Sequence, residues 1–357
     1  MKKYTIQILL CLFLALSLSL SCSKKGGDDN EETPGKEDVK PSPEPEIPDE
    51  PKEDWSWVDG YPKGVSVTVF DETLQDGKLC HGYVATIDFS KNPNLRFNCR
   101  NSSKKKKTSG FFADLPAEKG VACLAVNGGY LAGATSVSLV ASDGTFKVAA
   151  FRAFNWPNDE NAVTTIYPVR SAIGQMPDGH FEIQWTYCTD VAHRTHTAFP
   201  SPLDNNEKTQ TFMSEPPKAD YCEGSFTWTP QEAIGGGPRL VKDGQDVSTD
   251  SYWGECLDAG GTAAFSRANR TAAGITADGR LILLVADGRG KNGSAGYTLA
   301  ELSAKLISLG CKDALNLDGG GSSCMVGQAG QVLNAPSDAS GERSVASAIV
   351  ISELPRE

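Results

Sequence analysis

The stretch that decides the fold runs from residue 280 to residue 323 and reads RLILLVADGRGKNGSAGYTLAELSAKLISLGCKDALNLDGGGSS. It opens with Arg280–Ala286, a continuous apolar run that is typical of a strand buried on both faces. Thr298 and Glu301 have the spacing of a capping box at the start of a helix, and Gly310 is placed to end that helix. Asp313–Leu317 follows as a second strand. This order predicts a βαβ unit with two parallel strands and a right-handed crossover.

Each of the two predicted strands ends in an Asp-Gly pair, Asp287-Gly288 and Asp318-Gly319. Because the carboxyl ends of parallel strands meet at one edge of a sheet, where ligands bind in α/β sheets, we expect both carboxylates at that edge. An aspartate in such a position also commonly caps its own loop. The pattern favours a functional role for Asp318 and leaves both interpretations open for Asp287.

A glycine-rich segment follows the second strand. Three consecutive glycines cost backbone entropy, and they are typical of backbone that approaches a ligand closely or that forms a nest of N–H groups for an anion. Two serines then add hydroxyl donors, and no Gly-Lys-Ser/Thr follows, so this is not the P-loop of nucleotide-binding proteins. The segment comprises Asn316, Asp318, Gly319, Gly320, Gly321, Ser322 and Ser323.

Two further glycine clusters end apolar runs, and an arginine opens a strand close by in the sequence. The clusters are Asn127-Gly128-Gly129 and Gly235-Gly236-Gly237. Either could be a tight turn alone, but three such sites in one domain suggest a shared cavity lined by backbone. Arg270 opens the predicted strand 271–276 and is a candidate clamp for an anion, since guanidinium matches phosphate in a bidentate fashion. A solvent-facing arginine is the alternative.

The remainder of the body is predicted to be mostly β. Short alternating runs are separated by Asp-Gly pairs at 143–144, 178–179, 243–244 and 278–279, which are typical of hairpin turns. The predicted fold class is α+β, with mostly antiparallel curved sheets, few helices and one C-terminal βαβ unit. Residues 186–232 are interpreted as a polar, Pro-containing insertion with loops. Its pair His193/His196 is expected to be solvated rather than to bind metal or substrate.

The N-terminal region predicts export. Residues 1–22 contain Lys2-Lys3, an apolar run too short for a comfortable membrane span, and then Ser19-Leu20-Ser21-Cys22, which resembles the lipobox of bacterial lipoproteins. Cys22 would be the lipidated residue, although an ordinary secretory signal is the alternative. Residues 23–54 carry 12 Asp and Glu against 5 Lys, with 6 Pro, and are predicted to be a disordered tether for the domain 55–357. We therefore expect a lipid-anchored protein of the bacterial cell envelope, at the periplasmic or outer surface.

Charge and cysteine content exclude some classes of protein. The net charge of −11 and the lack of a basic excess argue against a nucleic-acid partner. The spacing of the 10 cysteines contains no CxxC, so a metal–thiolate site is not expected, and no cofactor is predicted. Export would permit disulfides, with Cys188 and Cys222 as a candidate pair, but buried free thiols are at least as plausible.

Five segments in this order resemble the phosphodiester glycosidase family. The similarity spans roughly residues 120–351, apart from 186–232, and NLDGGGSS is its most specific block. The segments are AVNGGY (125–130), AIGGGPRLVKDG (233–244), RTAAGITADGRLILLVADGR (270–289), TLAELSAKLISLGCKDALNLDGGGSSCMV (298–326) and PSDASGERSVASAIVI (336–351).

The resemblance implies hydrolysis of the bond between an anomeric sugar carbon and a phosphodiester oxygen, in a phosphoglycan or a smaller sugar-1-phosphodiester. Arg270, the amides of Gly319–Gly321 and the two serines would hold the phosphate. A carboxylate would support the oxocarbenium-like centre as nucleophile or as base for water. Asp318 is the first candidate for that carboxylate, ahead of Asp287 and Glu342. Asn127 would orient the substrate, while Arg343 would contact an anion or pair with Glu342.

Two other functions compete with this hydrolase. A non-catalytic glycan-binding protein of the cell surface could use the same cavity, although it would not need both Asp318 and Arg270. A metal-dependent phosphodiesterase would need clustered His and Asp ligands, and the chain has only 4 His. A weak structural cation near the aspartates is compatible with either.

Overall fold

The structure is a computed structural model that describes residues 57–58, 60–157, 163–257 and 264–355. The predicted signal peptide with its lipidation site Cys22, and the predicted tether, lie outside the described residues. Strands dominate the described part, which contains three α-helices. The helices are α1 (Thr108–Ala113), α2 (Ser248–Gly254) and α3 (Leu299–Ser308), with short 3-10 turns at Phe89–Lys91, Ala117–Lys119, Lys291–Gly293, Gly320–Ser322 and Gln328–Gly330.

The strands of the first half of the chain are β1 (Trp57–Val58), β2 (Tyr61–Pro62), β3 (Val65–Thr73), β4 (Leu79–Ile87), β5 (Leu95–Lys107), β6 (Val121–Asn127), β7 (Leu131–Ala132), β8 (Thr135–Ser136), β9 (Val140–Ser142), β10 (Thr145–Val148), β11 (Phe154–Pro157) and β12 (Val163–Ile166). Those of the second half are β13 (Arg170–Gln175), β14 (Phe181–Asp190), β15 (Thr195–Phe199), β16 (Phe226–Trp228), β17 (Glu232–Gly235), β18 (Arg239–Lys242), β19 (Gln245–Asp246), β20 (Arg270–Thr276), β21 (Leu281–Ala286), β22 (Cys311–Asn316), β23 (Met325–Val326) and β24 (Ser344–Glu353).

Three sheets make up most of the architecture. The first has the order β10-β9-β17-β13-β14-β15-β16, the second β19-β18-β22-β20-β21-β4-β3, and the third β23-β6-β24-β5. The pairs described within them are antiparallel, which confirms the predicted fold class. One core cluster takes residues from all three sheets, among them Ile173, Leu283 and Ile349. A second cluster lies between the second sheet and α3.

The local signals in the deciding stretch are confirmed. Thr298 caps α3, with its hydroxyl accepting from the Glu301 N–H at 3.2 Å, and Gly310 follows the helix with φ of +83°. Successive residues of β21 alternate between the two core clusters, so this strand is buried on both faces. The four predicted Asp-Gly hairpins join β9 to β10, β13 to β14, β18 to β19 and β20 to β21.

The predicted βαβ unit differs from the structure in one respect. The strands β21 and β22 run in the same direction, but they are not neighbours, because β20 lies between them and pairs antiparallel with both. A tight Asp278-Gly279 hairpin places β20 beside β21 before α3 crosses over. The second strand then pairs with the free side of β20. The sequence order thus predicted the direction of the two strands and missed the strand inserted between them.

The cysteines and histidines refine two further expectations. The eight cysteines from Cys80 onward are all free thiols, and seven of them are buried, so Cys188 and Cys222 form no disulfide. His193 is exposed and hydrogen-bonded to Asp190, as expected for a solvated histidine. His196 is fully buried and stacks on Phe146, so the prediction of a solvated pair is wrong for it. It lies on β15, in the interior of a sheet, where the polar sequence around it gave no sign of burial.

The region 186–232 contributes β15 and β16 to the far edge of the first sheet. Residues 200–225 between these strands form turns and one isolated bridge, between Asn206 and Thr211. Within the described ranges, no helix is both long enough and apolar enough to cross a membrane.

Candidate active site

The inserted strand brings three predicted site residues to one edge of the second sheet. Asp287 follows β21, Asp318 lies two residues after β22, and Arg270 begins β20 between them. The register pairs Arg270 with Ala286 and Ala272 with Asn316. The predicted meeting of the two strand ends at one edge is therefore confirmed, and an arginine is added between them.

Asp318 is held by its backbone while its carboxyl group faces the glycine segment. Its N–H donates to the Gly128 carbonyl at 3.1 Å, and its carbonyl accepts from the Asn127 amide at 2.7 Å. Burial raises the pKa of the carboxyl group to about 6, against the opposing effects of the Ser322 hydroxyl, the Arg343 charge and the Gly319 N–H. A carboxyl group with this pKa exchanges a proton readily near neutral pH.

The glycine segment is a tight turn rather than a fully open nest of N–H groups. Gly320 has a φ of +60°, and its N–H donates to the Asn269 carbonyl at 2.8 Å. The N–H groups of Ser322 and Ser323 donate back to Gly319 and Gly320. The predicted cradle of three glycine amides is therefore incomplete, because the turn itself uses the Gly320 donor. Ser323 also keeps a buried hydroxyl with no hydrogen-bond partner among the described residues.

Two arginines lie over this turn. A methyl group at Gly320 would come within 3.0 Å of the Arg289 guanidinium, and one at Gly321 would collide with Arg343 and Asp338. Arg343 forms a two-pronged pair with Asp338, with N–O distances of 2.7 and 2.8 Å. The alternative in which Arg343 pairs with Glu342 is thus wrong. At Gly321 a side chain would collide with the Arg343 guanidinium group, and at Gly320 the left-handed backbone favours glycine.

Glu342 is used elsewhere in the fold. Its carboxylate accepts from the N–H and the hydroxyl of Ser109 at 2.7 and 2.6 Å, in the first turn of α1. This bonding holds α1 against the segment that leads into β24. It gives Glu342 a structural task and leaves Asp318 as the stronger candidate carboxylate.

Asp287 is buried and bonded within its own surroundings. Its carboxylate accepts from the Asn334 amide at 3.2 Å, the Ala335 N–H at 2.9 Å and the Asn292 amide at 2.9 Å. Burial nevertheless raises the pKa of this group. Asn334 also donates to the Ser323 carbonyl at 3.2 Å, so Asp287 supports the glycine segment from behind.

Asn127 has no capacity left for a substrate. Its amide nitrogen donates to the carbonyls of Asp318 and Gly128, and its oxygen accepts from the Thr271 hydroxyl at 2.7 Å and the Cys324 N–H at 3.0 Å. An asparagine side chain has two donor hydrogens and two acceptor lone pairs, and all four are used here. The predicted role in orienting substrate is therefore wrong, and Asn127 instead ties β6 to the loop that carries Asp318.

The other glycine clusters serve close packing. An added Cβ at Gly128 would be 2.5 Å from Ile234 and 2.9 Å from the Ser347 backbone, while one at Gly129 or Gly236 would strike a backbone carbonyl. These three glycines let the three sheets approach one another. Gly237 has a φ of +128°, and its carbonyl accepts from the Tyr130 hydroxyl and the Asn316 amide. Their predicted contact with phosphate has no support in this geometry.

A cavity of about 230 Å³ lies beside this edge of the sheet. Its lining combines two arginines, two tyrosines, an amide and apolar side chains, and comprises Tyr130, Arg170, Pro238, Tyr252, Leu257, Arg270, Leu299 and Asn316. Arg270 is buried and donates to the carbonyls of Tyr297 and Ser266. Arg170 donates to the carbonyls of Glu255 and Cys256. Burial lowers the pKa of both guanidinium groups, and the cavity is a positive environment suited to an anion.

Asp318 does not line the cavity, but its charge acts on Tyr130, which does. The Tyr130 hydroxyl accepts from Asn316 at 3.0 Å, and burial together with the nearby Asp318 raises its pKa to about 12. A Cβ on Gly319 would lie 3.9 Å from the Arg270 side chain. Asn316 keeps a buried carbonyl oxygen without a partner among the described residues. Tyr130 and Arg270 therefore link the cavity to the surroundings of Asp318.

Sequence reasoning missed three residues of this site. Arg289 follows directly after Asp287-Gly288, so its position at a strand end was a usable signal. Tyr130 follows the Gly128-Gly129 pair and gave a similar one. Arg170 begins β13 in a different sheet, and no local pattern connects it to the other residues. Among the described residues, no three His, Cys, Asp or Glu side chains are grouped so that they could hold a metal ion.

Comparison with known proteins relates the chain to phosphodiester glycosidases. Residues 192–352 match the family model described as phosphodiester glycosidase. The catalytic domain of zebrafish N-acetylglucosamine-1-phosphodiester alpha-N-acetylglucosaminidase, auto-inhibited by its pro-peptide, has a similar fold, with a TM-score of 0.54 and 17% identity over 81% of this chain and 83% of that chain. A hypothetical protein from Synechocystis aligns with a TM-score of 0.48 and 20% identity over 82% of this chain and 62% of that chain.

No curated protein sequence matches the chain significantly. The family match covers β15 to β24 and with them Arg270, Asp287, Asp318 and Arg343. Residues 192–352, slightly less than half of the chain, thus resemble the phosphodiester glycosidase family, and this match supports a hydrolytic enzyme.

Proposed function

We propose that the protein hydrolyses the bond between the anomeric carbon of a sugar and a phosphodiester oxygen. The observation that carries this proposal is Asp318, whose pKa of about 6 belongs to a carboxyl group beside a cavity lined by Arg170 and Arg270. A phosphodiester is an anion, and a guanidinium group offers it paired donors. The sugar would then lie toward the glycine segment.

In this proposal the chemistry requires little protonation of the leaving group. The C–O bond at the anomeric carbon breaks, the oxygen and its electron pair remain with the phosphate, and the arginines stabilise the added charge. Positive charge develops on the sugar ring as the bond lengthens, and the ionised Asp318 would offset it. Water supplies the new hydroxyl at the anomeric carbon and loses one proton.

Asp318 would act by one of two routes. As a base it takes the proton from the attacking water, which inverts the configuration of the sugar. As a nucleophile it first forms a glycosyl ester that water then cleaves, which retains the configuration. The anomer that is released first, observed by NMR, distinguishes the two routes.

The test is sugar release from a panel of sugar-1-phosphodiesters by the full-length chain, its Asp318→Asn variant and its Lys312→Gln variant as a surface control. We expect release by the wild type and the control, in the presence or absence of a chelator, and none by Asp318→Asn. Tight binding of a glycan without any release would favour the non-catalytic glycan-binding function. Loss of release with the chelator would favour a metal-dependent phosphodiesterase.

We also propose that the chain is exported and anchored through a lipid on Cys22. The charged and apolar segments of residues 1–22 and the acidic residues 23–54 support this location. The test is incorporation of labelled palmitate in a bacterial host. Wild type should be labelled and recovered with membranes, and Cys22→Ser should remain unlabelled.

A further inference from the structure

The run Lys104–Lys107, here named the lysine segment, stands out in an acidic protein. It lies at the end of β5, which is the edge strand of the third sheet. The pairing of β5 with β24 is interrupted there, because Asn101 pairs with Ser347 and Lys106 pairs with Val345. Four residues of β5, from Ser102 to Lys105, thus face the single residue Ala346. Such a bulge turns side chains away from the sheet and is frequent beside active sites.

Most of the charge in the lysine segment is uncompensated. Lys106 pairs with Asp114 at 2.8 Å and lies over the Phe111 ring. Lys104, Lys105 and Lys107 are exposed, and no carboxylate among the described residues lies within 4.0 Å of their ammonium groups. The whole chain carries a net charge of −11, so this local excess of positive charge runs against the overall composition.

The lysine segment adjoins the candidate active site. Lys107 pairs with Ser344, the residue directly after Arg343, so the Cα atoms of Lys107 and Arg343 are within about 9 Å by standard strand spacings. Next to this pair, the Ser109 N–H donates a hydrogen bond to the Glu342 carboxylate, which holds the end of the lysine segment against the segment that contains Arg343. Arg343 in turn lies at Gly321, and its charge acts on Asp318. The lysine segment and the glycine turn are therefore joined through Arg343, whose own charge is paired with Asp338.

Protection of an edge strand does not account for this arrangement. Lysines on an edge do prevent pairing with other chains. An edge strand of the second sheet, β3, is nine residues long and carries Asp71 and Glu72 near its end instead of lysines. A bulge alone would also interrupt pairing at β5. The position next to Arg343 is what requires a further explanation.

We propose that the lysine segment binds the anionic backbone of an extended phosphoglycan, several units of which lie outside the cavity while one linkage is cleaved at Asp318. The inference rests on the proposed function and specifies its substrate class as a polymer with repeated phosphodiesters. A small sugar-1-phosphodiester fills the cavity but reaches none of the three free lysines. A polymer gains binding affinity from its contacts with all three lysines. Salt screens these electrostatic contacts because the lysines are exposed.

The test compares two substrates that contain the same type of scissile bond and differ in length. One is the methyl diester of the sugar 1-phosphate that the panel above identifies, and the other is a tetramer of the same unit joined through phosphodiesters. The full-length chain is measured as wild type and with Lys104, Lys105 and Lys107 replaced by Gln. A matched control replaces Lys63, Lys208 and Lys312, which are also exposed, by Gln.

We expect the triple variant to lose roughly three- to thirtyfold in kcat/KM on the tetramer, mainly through KM, since each exposed charge contact contributes modestly. Its kcat/KM on the methyl diester should stay within twofold of wild type, as should both values of the control. At 1 M salt the wild type should lose its preference for the tetramer.

Three results would overturn the inference. The first is equal loss on both substrates, and the second is no loss on the tetramer. The third is loss of binding to vesicles containing anionic phosphatidylglycerol, relative to the control variant, with tetramer cleavage unchanged, which would assign the lysines to a membrane surface. Absence of wild-type activity on the methyl diester would instead refute the proposed function itself.

Discussion

Asp287 and Asp318 occupy equivalent places in sequence and opposite situations in structure. Each begins an Asp-Gly pair close to the end of a buried strand, and the two strands run in the same direction. The Asp287 carboxylate accepts three hydrogen bonds, from two amide side chains and one backbone N–H. Asp318 is fixed through its backbone, and its carboxyl group has a pKa raised to about 6.

The difference comes from what covers each aspartate. The loop at Asn334 and Ala335 folds over Asp287 and supplies donors. The turn over Asp318 consists of glycines, and the guanidinium groups of Arg289 and Arg343 occupy the space above them. A motif at a strand end thus provides a carboxylate, and a distant segment determines whether that carboxylate holds structure or performs chemistry.

The largest difference between the two aspartates should appear in kcat/KM when each is replaced by asparagine. Asp318→Asn removes the reacting carboxylate, so we expect kcat/KM to fall by about a thousandfold or more, at the scale of acid–base and nucleophilic groups. Asp287→Asn should cost less than tenfold per folded molecule. Steady-state kinetics on the best sugar-1-phosphodiester, normalised to folded protein by circular dichroism, provide the measurement. Equal losses of kcat/KM in the two variants would show that the two aspartates do not differ in function.

The pH dependence of activity should follow Asp318 alone. Its ionised form is the active one in either route, so kcat/KM should rise with pH and level off above about 6. Well below that value the rate should drop about tenfold per pH unit, which gives a loss of roughly fiftyfold between pH 6 and pH 4. Asp287→Asn should keep the same midpoint, and a midpoint that shifts with Asp287 would reassign the titrating group.

Loss of the Asp287 carboxylate should lower the stability of the folded protein. Asp287→Ala leaves the buried donors of Asn334 and Ala335 without their acceptor, so unfolding free energy should decrease by about 2–4 kcal/mol. Urea denaturation at pH 7 measures the change. Asp278→Ala, on an exposed hairpin turn, is the matched control and should cost less than about 1 kcal/mol.

Asp318→Asn should have the opposite effect on stability. The pKa of this group is higher in the folded chain than in the unfolded one, so the folded state binds the proton more tightly and loses stability as pH rises from about 4 to 6. Removing the charge should stabilise the protein by about 1–2 kcal/mol above pH 6, allowing for partial exposure, and not below pH 4. Thermal melts at pH 8 and pH 4 should show this difference, and equal Tm shifts at both would contradict it.

Alanine substitutions at Gly288, after Asp287, and at Gly320, after Asp318, should show the smallest difference, and that difference is in unfolding free energy. A Cβ at Gly288 would lie 2.5 Å from the Asn269 backbone nitrogen, so Gly288→Ala should cost about 1–3 kcal/mol. A Cβ at Gly320 meets the flexible end of Arg289 at 3.0 Å, so Gly320→Ala should cost about 1 kcal/mol for its left-handed backbone. Urea denaturation can rank the two, and the reverse order would show that the turn over Asp318 is the more rigid one.

Local physics explains what the sequence predicted correctly. The capping box of Thr298 and Glu301 and the four Asp-Gly hairpins depend on neighbouring residues, and all are present in the structure. The continuous apolar run of β21 predicted burial on both faces for the same reason. The shared edge of Asp287 and Asp318 followed from strand direction alone.

Contacts between distant segments explain the errors. Asn127 has a side chain that is typical of ligand-binding sites. Its hydrogen bonds, however, are made with Thr271, Asp318 and Cys324 from other parts of the chain. The Gly128-Gly129 pair resembles a ligand loop and instead makes room for another sheet. Arg170 joins the cavity through a strand of a different sheet. These assignments depend on how β6, β13 and β22, which belong to three different sheets, pack together in space, and spacing along the sequence does not contain that information.

The position of β24 has a consequence for the timing of synthesis. This strand, Ser344–Glu353, lies between β6 and β5 in the third sheet, although it is the last strand of the described chain. At roughly 5–20 residues per second, about 10–45 seconds pass between translation of β6 and of β24. Until then the two earlier strands lack the partner that joins them, so the third sheet, which carries Asn127, can be completed only after the glycine segment has been made.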